Sequence, residues 1–287
     1  YLKREKSKTI KPQHHLELDL GLDSLDRVAL QAYLYQSFGV DLEANEINQF
    51  NTVGKLSAFV ADKKTKMEEG EMDWKAILKE RIHFKLPKFW LTNTLMMRMS
   101  KFFFKLYFRF TSKGEEHIPE GPCIIAPNHQ SFFDGLFVTA LLKTKQIRNT
   151  FFYAKSQHVK LPFLKFLANK NNIIVVDLNK NLKESIQKLA EVLKQQKKLL
   201  IFPEGTRSLN GDLGQFKKTF AILSSELNVP IVPVSISGAI NALPKGSFFP
   251  RPGKKVQIEF LKPIYPKDNS YEDITNVVRD KIEERIM

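Results

Sequence analysis

Short apolar runs alternate with amphipathic stretches over the larger part of the chain. The runs are typical of strands, and they are CIIAP, TFFYAK, IIVV, KLLIF, VPIVPVSI and VQIEFL. Between them, residues 182–196 and 216–227 carry apolar positions at helical spacing. Continuous apolar runs indicate strands that are buried on both faces. The alternation therefore predicts an α/β domain built around a largely buried, mixed sheet.

A different pattern fills the beginning of the chain. Apolar residues at helical spacing predict a helix over Ser24–Phe38, with Asp23 as its N-cap and Gly39 where the helix stops. Thr52 is predicted to be the N-cap of a second helix, which runs from Val53 to about residue 64. The connector 41–50 has room for one helical turn. These residues predict a small all-α module over 1–61.

A linker and a basic amphipathic segment follow this module. Residues 62–88 are mostly charged and predict a linker, ahead of a domain over 89–287. Residues 89–110 combine Met, Leu and Phe with four cations on one helical face: Arg98, Lys101, Lys105 and Arg109. Near a bilayer centre each cation would cost about 2.5–3.5 kcal/mol, so the pattern favours a helix lying in the membrane surface over one that spans the membrane. A core-packed helix with snorkelling cations stays open as the alternative.

Charge divides the chain in the same way as the hydrophobic pattern. Residues 12–60 carry two basic and seven acidic side chains, and residues 61–287 carry 38 basic and 23 acidic ones. An acidic head and a basic body indicate two modules, and the basic body predicts an anionic partner: phospholipid, an acidic protein or nucleic acid. The single cysteine, Cys123, excludes an internal disulfide framework. Because Cys123 lies within a strand-like apolar run, we expect its side chain to be buried and to pack as a small apolar residue.

The segment LGLDSLDRVAL, followed by FGV and NTVGKL, resembles an acyl carrier protein. The resemblance implies that Ser24 carries a 4′-phosphopantetheine arm, whose phosphodiester would lie at the positive end of the helix dipole. That family folds as a four-helix bundle whose first helix lies well upstream of this serine, and residues 1–15 are too polar to form it. We therefore expect a four-helix module that lacks its first helix and is incomplete or poorly packed, in a chain that is a fragment of a longer protein.

Two polar clusters directly follow predicted strands. The motif NHQSFFDG, 128–135, follows CIIAP, and FPEGTRS, 202–208, follows KLLI. If His129 lies in the turn after the strand and Asp134 in the first helical turn, the carboxylate can hold one imidazole tautomer and leave the other nitrogen as a base. No Cys or His pair has metal-ligand spacing, so the sequence predicts no metal site.

The paired motifs, with VPIVPVSISG at 229–238, resemble the glycerolipid acyltransferase superfamily over about residues 90–287. The resemblance implies transfer of an acyl chain from a thioester to a lipid hydroxyl, without an acyl-enzyme. It implies that His129 is the general base and that Asp134 orients it. It also implies an acceptor site in which an arginine clamps a phosphate, formed by Glu204, Gly205, Thr206 and Arg207.

The sequence departs from that family at two positions. Many members carry an arginine that helps to bind the acceptor phosphate where this chain has Leu178, and Lys180 or Lys183 are the alternative charges. Thr219 stands where a glycine is common. We expect 1-acylglycerol-3-phosphate as the acceptor, and lysophospholipid, glycerol-3-phosphate and aminolipid stay open.

Taken together, the motifs predict a peripheral enzyme of phospholipid biosynthesis on the cytoplasmic face of a membrane. Its expected partners are anionic lipid, an acyl donor that is either an acyl-carrier thioester or acyl-CoA, and a lysophospholipid acceptor. A carrier or scaffold protein with a degenerate acyltransferase body is the alternative. Nucleic-acid binding is disfavoured, because the cations interleave with a Met- and Phe-rich segment and no nucleic-acid motif is present.

Overall fold

The structure is a computed structural model. It describes residues 10–286 except 23, 43, 48, 65–73, 81, 83, 88–90, 156–171, 177–181, 245–246, 248 and 268. The predicted cap Asp23 and the positions Leu178 and Lys180 therefore lie outside the described residues, as do the side chains of Ser24 and Lys183. The chain divides into two compact units, one comprising residues 1–81 with 177–187 and the other comprising 82–176 with 188–287.

Helices occupy the described part of the first unit. They are α1 (Ser24–Phe38), α2 (Ala44–Ile47), α3 (Val53–Lys63) and α4 (Trp74–Lys79). The range of α1 is the predicted one, and Gly39 follows it with a φ of 67°, a left-handed conformation that glycine adopts without strain. The Thr52 hydroxyl accepts a hydrogen bond from the Lys55 N–H at 3.4 Å, as expected of an N-cap. Within the predicted linker, α4 buries Trp74, Ile77 and Leu78.

The carrier-like residues have a core of their own. Its buried members are Leu16, Leu22, Leu34, Val40, Leu42, Leu56 and Val60. Leu16 reaches this core because the chain ahead of α1 runs along the start of α3. There the Gly54 N–H donates to the Pro12 carbonyl at 2.7 Å, and the Leu16 N–H donates to the Asn51 carbonyl at 2.9 Å. Among the described residues, segment 10–22 thus packs against this core without forming a helix.

The second unit contains one sheet. Its described strands are β1 (Arg109–Lys113), β2 (Ile124–Pro127), β3 (Thr150–Lys155), β4 (Ile173–Val176), β5 (Lys198–Leu200), β6 (Ile231–Ser237) and β7 (Lys255–Phe260). Their order is β1-β7-β6-β2-β5-β3-β4. Neighbours are parallel except for β6 and β7, which are antiparallel. The predicted mixed α/β sheet is confirmed. Strand β2 is buried at every position, as its continuous apolar run predicts.

Helices connect and cover these strands. They are α5 (Leu91–Tyr107), α6 (Asp134–Leu141), α7 (Thr144–Asn149), α8 (Leu182–Lys194, whose first part belongs to the other unit), α9 (Thr219–Leu227), α10 (Ala239–Ala242) and α11 (Tyr271–Ile286). The rings of Phe104 on α5 and Phe137 on α6 pack with centroids 4.7 Å apart. The helix expected from residue 216 begins at Thr219, and ahead of it the Lys217 N–H is bonded to the Pro203 carbonyl at 2.9 Å.

Helix α5 has two different apolar faces. One is buried and contributes Met97 and Phe104 to the core. The other, which we term the outer face, is exposed and consists of Leu95, Met96, Met99, Phe102, Phe103 and Leu106. Two of the four predicted cations border the outer face: Arg98, whose guanidinium donates to the Thr144 hydroxyl at 3.1 Å, and the exposed Lys105. Among the described helices, none combines the length and the apolar character needed to cross a membrane.

Candidate active site

The two polar motifs meet at one edge of the sheet. Strands β2 and β5 are parallel neighbours, with Ile124 beside Leu199 and Ile125 beside Leu200. Their carboxyl ends therefore lie at the same edge, where ligands bind in open α/β sheets. Segment 128–135 leaves β2 there and segment 202–208 leaves β5. The Ser208 N–H donates to the His129 carbonyl at 2.8 Å, which joins the two segments directly.

The imidazole of His129 and the carboxylate of Asp134 are in contact. Nδ1 of His129 lies 2.9 Å from Oδ2 of Asp134, the first residue of α6. The same oxygen accepts the backbone N–H groups of Gln130 and Ser131, each at 2.6 Å. A carboxylate can only accept, so Nδ1 carries the proton and Nε2 is left as a base. The His129 side chain is 19% exposed, and Asp134 is fully buried.

Burial governs the electrostatics of Asp134. Removal from water raises the pKa of this carboxyl group, and the hydrogen bonds from His129, Ser131 and Gln130 act in the opposite direction. Its second oxygen, Oδ1, has no hydrogen-bond partner among the described residues. Of the three described donors to Asp134, only the His129 imidazole can become a cation, so the carboxylate stabilises the imidazolium that forms when Nε2 takes a proton.

Two further residues hold His129, and the sequence analysis did not identify either of them. The ring of Phe202 stacks on the imidazole, with centroids 4.0 Å apart and an angle of 19° between the planes. Asn128 is buried and fixes the turn to strand β6. Its amide donates to the Ile236 carbonyl at 3.0 Å and accepts the Ile236 N–H at 2.7 Å. Both residues belong to the two motifs, so their position next to a candidate site residue was the available signal.

Glu204 lies on the inner side of its motif. It is 8% exposed, and burial raises the pKa of its carboxyl group. One oxygen accepts the His129 N–H at 2.8 Å, and the other accepts the Gly214 N–H at 3.0 Å. Gly205 follows with a φ of 68°, and a Cβ at this position would lie 3.2 Å from Cε of Lys217. The motif therefore turns sharply after Glu204, at a position that suits glycine.

The outer part of the same motif is open. Thr206 is exposed and Arg207 is half-buried. The guanidinium carbon of Arg207 lies 6.0 Å from the centroid of the Phe132 ring, a side chain that is 69% exposed. The structure thus brings four predicted site residues to one edge of the sheet: Asp134 is fully buried, His129 and Arg207 are partly buried, and Thr206 is exposed.

The remaining candidates are placed as follows. Cys123 is fully buried just before β2, and burial raises the pKa of its thiol to about 11, so the group is protonated at neutral pH and is a poor nucleophile. Ser131 is also buried, and its hydroxyl donates to the Leu243 carbonyl at 3.1 Å. Ser24 is the first residue of α1. Among the residues that the structure describes, no group of three His, Cys, Asp or Glu side chains is arranged to hold a metal ion.

An accessible imidazole steadied by a buried carboxylate, at the carboxyl edge of an α/β sheet, is a site for general-base chemistry. Comparison with known families agrees with this class. Residues 109–237 match the family model described as Acyltransferase, and residues 2–60 match the one described as Phosphopantetheine attachment site. The chain therefore carries an acyltransferase-family domain preceded by a phosphopantetheine-attachment domain, and both resemblances seen in the sequence are confirmed.

Individual relatives carry one kind of name. A 1-acyl-sn-glycerol-3-phosphate acyltransferase of Limnanthes douglasii is 32% identical over 173 residues, which cover 58% of this chain and 58% of the relative. A chloroplastic enzyme of the same name from Brassica napus is 28% identical over 163 residues, covering 55% of this chain and 46% of the relative. The chain thus spans about half the length of the curated relatives that it matches.

A solved structure has a similar fold. The crystal structure of the 1-acyl-sn-glycerophosphate (LPA) acyltransferase PlsC from Thermotoga maritima superposes with a TM-score of 0.58 and 24% identity. The match covers 80% of this chain and 87% of that chain. At this identity the comparison establishes the shared fold.

Proposed function

We propose that this protein transfers an acyl group from a thioester to the hydroxyl of a lysophospholipid-type acceptor, with 1-acylglycerol-3-phosphate as the foremost candidate, in phospholipid biosynthesis. The observation that carries the proposal is the contact of 2.9 Å between His129 Nδ1 and Asp134 Oδ2 at the edge of the sheet. This contact leaves Nε2 free to take a proton from an alcohol. The names of the relatives in the comparison support the choice of acceptor.

His129 and Asp134 account for both proton transfers of the proposed reaction. Nε2 of His129 removes the proton of the acceptor hydroxyl as its oxygen attacks the thioester carbonyl carbon, and the new C–O bond gives a tetrahedral oxyanion. Asp134 stabilises the imidazolium during this step. When the oxyanion collapses, the C–S bond breaks and the imidazolium returns its proton to the departing thiolate. The products are an ester and a free thiol, and His129 is neutral again.

Ser24 is the proposed attachment point of the acyl donor. It begins the 15-residue helix α1, so a phosphodiester on its side chain would lie at the positive end of the helix dipole, and the position fits a 4′-phosphopantetheine group. When bound, this group carries the acyl chain as a thioester. A donor on the same chain would reach the catalytic domain at an effective concentration of roughly mM. Acyl-CoA is the alternative donor, with the same thioester chemistry.

Thr206 and Arg207 are proposed to receive the acceptor headgroup. The forked guanidinium of Arg207 suits a phosphate, and both residues belong to the accessible side of the site. Because His129 lies within the same pair of motifs, a headgroup bound by Arg207 would place the neighbouring glycerol hydroxyl near the base. A lysophospholipid with a larger headgroup, glycerol-3-phosphate and an aminolipid are tested as alternative acceptors in the experiment below.

The outer face of α5 is proposed to dock on an anionic membrane, on the cytoplasmic side, as a peripheral contact. Its six exposed apolar side chains include Phe102, 72% exposed, and Leu106, 77% exposed. Arg98 and Lys105 border the same face, so apolar insertion and attraction to lipid phosphates would act together. A lipid acceptor and a long acyl chain both partition into bilayers, which makes the membrane surface the natural source of the substrates.

The enzymatic proposal is tested with purified protein in its pantetheinylated form. It is incubated with acyl donor and a panel of acceptors, namely 1-acylglycerol-3-phosphate, other lysophospholipids, glycerol-3-phosphate and a lipid amine, and the products are identified by mass spectrometry. We expect ester formation with the first, at a rate that falls about 10²- to 10⁴-fold in His129→Ala. Ser24→Ala is the matched control for the donor, since it should lose transfer from the carrier and keep transfer from acyl-CoA. Absence of transfer to every acceptor, or an unchanged rate in His129→Ala, rejects the proposal.

Membrane docking is tested by flotation with vesicles that contain anionic lipid. The double substitution of Phe102 and Leu106 by serine removes two large side chains, each worth about 1.5–3 kcal/mol when buried, so we expect partitioning to fall by a factor of about 10² or more. Val277→Ser, at an exposed apolar residue of α11, is the matched control and should leave partitioning unchanged. Equal flotation of the double variant and the unmodified protein would refute docking through α5.

A further inference from the structure

We infer that Glu204 is a positioning residue that holds the catalytic histidine through its backbone, and that it does not bind the acceptor. This inference rests on the proposed function and assigns a role to one of its predicted site residues. Glu204 belongs to the polar motif FPEGTRS, so an acceptor ligand is the role that the sequence suggests. The hydrogen bonds place the carboxylate elsewhere.

Both carboxylate oxygens of Glu204 are occupied by backbone donors. The His129 N–H donates to Oε1 at 2.8 Å, and the Gly214 N–H donates to Oε2 at 3.0 Å. The residue is only 8% exposed. Little of this side chain is therefore left for an acceptor to reach, and an acceptor that displaced either bond would leave a backbone N–H group without a partner. The carboxylate is therefore committed to the protein backbone.

Every hydrogen-bonding group of His129 except Nε2 has a partner in the protein. Its N–H is bonded to Glu204, its carbonyl accepts the Ser208 N–H at 2.8 Å, and its Nδ1 contacts Asp134 at 2.9 Å. The ring lies against Phe202 with centroids 4.0 Å apart. Three of these four contacts come from segment 202–208. Segment 202–208 thus contacts His129 with one side, and the accessible residues Thr206 and Arg207 lie on its other side.

A base held in this way has a fixed direction for Nε2. Catalysis depends on angles and distances that a small rotation of the ring would spoil, so loosening the backbone anchor should lower the rate of the chemical step more than it weakens acceptor binding. A residue that binds the acceptor would behave in the opposite way. The split between kcat and the KM for the acceptor therefore separates the two roles.

Three variants test this inference, and two of them are mild. Glu204→Gln keeps one acceptor oxygen, and Glu204→Ala removes both. Gly214→Ala leaves the charge in place, but its added Cβ would lie 2.9 Å from Oε2 of Glu204 and would push the carboxylate from its position. Gly121→Ala is the matched control, because a Cβ at that glycine would meet nothing within 4 Å. Thr206→Ala supplies the contrast, on the accessible side of the motif.

We expect kcat to fall about tenfold in Glu204→Gln and in Gly214→Ala, and further in Glu204→Ala, with the KM for the acceptor changed by less than about twofold. Gly121→Ala should keep both constants. Thr206→Ala should raise KM and keep kcat. Thermal melting reports folding, and if Glu204→Ala does not fold, the Gln variant and Gly214→Ala decide the outcome. A raised KM with unchanged kcat in both mild variants would overturn the inference.

A second measurement does not require activity. The His129 imidazole is followed through its pH titration by NMR in the substrate-free protein, with His129→Gln used to assign its signal. Because the Glu204 charge itself acts on His129, the informative variant is Gly214→Ala, which keeps the charge. A positioning role predicts that Gly214→Ala alters this titration curve in the free protein, whereas an unaltered curve contradicts it. The protein without substitutions, in its pantetheinylated form, separates the two proposals. If it transfers no acyl group but the titration changes as expected in the variant, the proposed function fails and the positioning role stands.

Discussion

The two sides of the candidate site are built differently, although both belong to the same edge of the sheet. On one side, His129 and Asp134 are surrounded by hydrogen bonds, with Asp134 fully buried and accepting three donors on one oxygen. On the other side, Thr206 is exposed, and Arg207 lies next to the exposed ring of Phe132. The contrast suggests that the group that performs proton transfer is fixed in advance, whereas the groups that meet the lipid are left accessible.

The largest expected effect belongs to the buried side. In Asp134→Asn the shape is kept but the negative charge is lost, so the imidazolium formed during transfer is no longer stabilised and the His129 tautomer is no longer fixed. We expect kcat to fall about 10²- to 10⁴-fold, with little change in the KM for the acceptor. Steady-state kinetics over a range of acceptor concentrations give both constants. A raised KM with unchanged kcat would place Asp134 on the recognition side and remove the contrast.

The next largest effect concerns the accessible side, where we expect the KM for the acceptor to change rather than kcat. Arg207→Ala removes a guanidinium whose hydrogen bonds to a charged group contribute about 1.5–3 kcal/mol, so we expect the KM for a phosphate-bearing acceptor to rise roughly 10- to 100-fold. The kcat should change much less, because Arg207 has no described contact with His129. An acceptor without a phosphate is the internal control, and its KM should not respond. An equal loss for both acceptors would exclude phosphate recognition by this residue.

The sequence predicted this site as far as its information is local. His129 and Asp134 were expected to meet because one follows a strand and the other opens the next helix, and the two motifs were expected at one edge because each follows a buried run. The partner of the Glu204 carboxylate could not be predicted. It is a backbone N–H located 75 positions earlier in the chain, and every residue type except proline carries such a group.

The same limit applies outside the site. The ranges of α1 and α3 follow from periodicity and capping side chains, which are properties of adjacent residues. Packing of the segment ahead of α1 depends on backbone hydrogen bonds from Gly54 and Leu16 to distant carbonyls, and polar composition gave no sign of them.

The buried side should also affect stability in a pH-dependent way. Burial raises the pKa of Glu204 above the ordinary value of 4.5, so the folded protein holds this proton to higher pH than the unfolded chain does. The contribution of Glu204 to the free energy of unfolding is thus largest at low pH and is lost as pH rises from about 4.5 through the folded-state pKa. Urea unfolding of the unmodified protein and Glu204→Gln between pH 4 and 8 measures it. A difference between the two proteins that stays constant or grows in favour of the unmodified protein with rising pH would contradict this sign.

The smallest effect concerns the neighbour of Arg207 and sharpens the accessible side of the comparison. The Phe132 ring lies 6.0 Å from the guanidinium carbon, and an exposed cation–π contact is worth about 0.5–1 kcal/mol. Phe132→Leu keeps an apolar side chain but removes the π face, so we expect the KM for the acceptor to rise about two- to fivefold because Arg207 is less well oriented. If the ring acts through Arg207, the same substitution should have no further effect in Arg207→Ala, which a double-mutant cycle measures. Equal effects in both backgrounds would mean that Phe132 contacts the lipid itself, and recognition on this side would then be apolar as well as ionic.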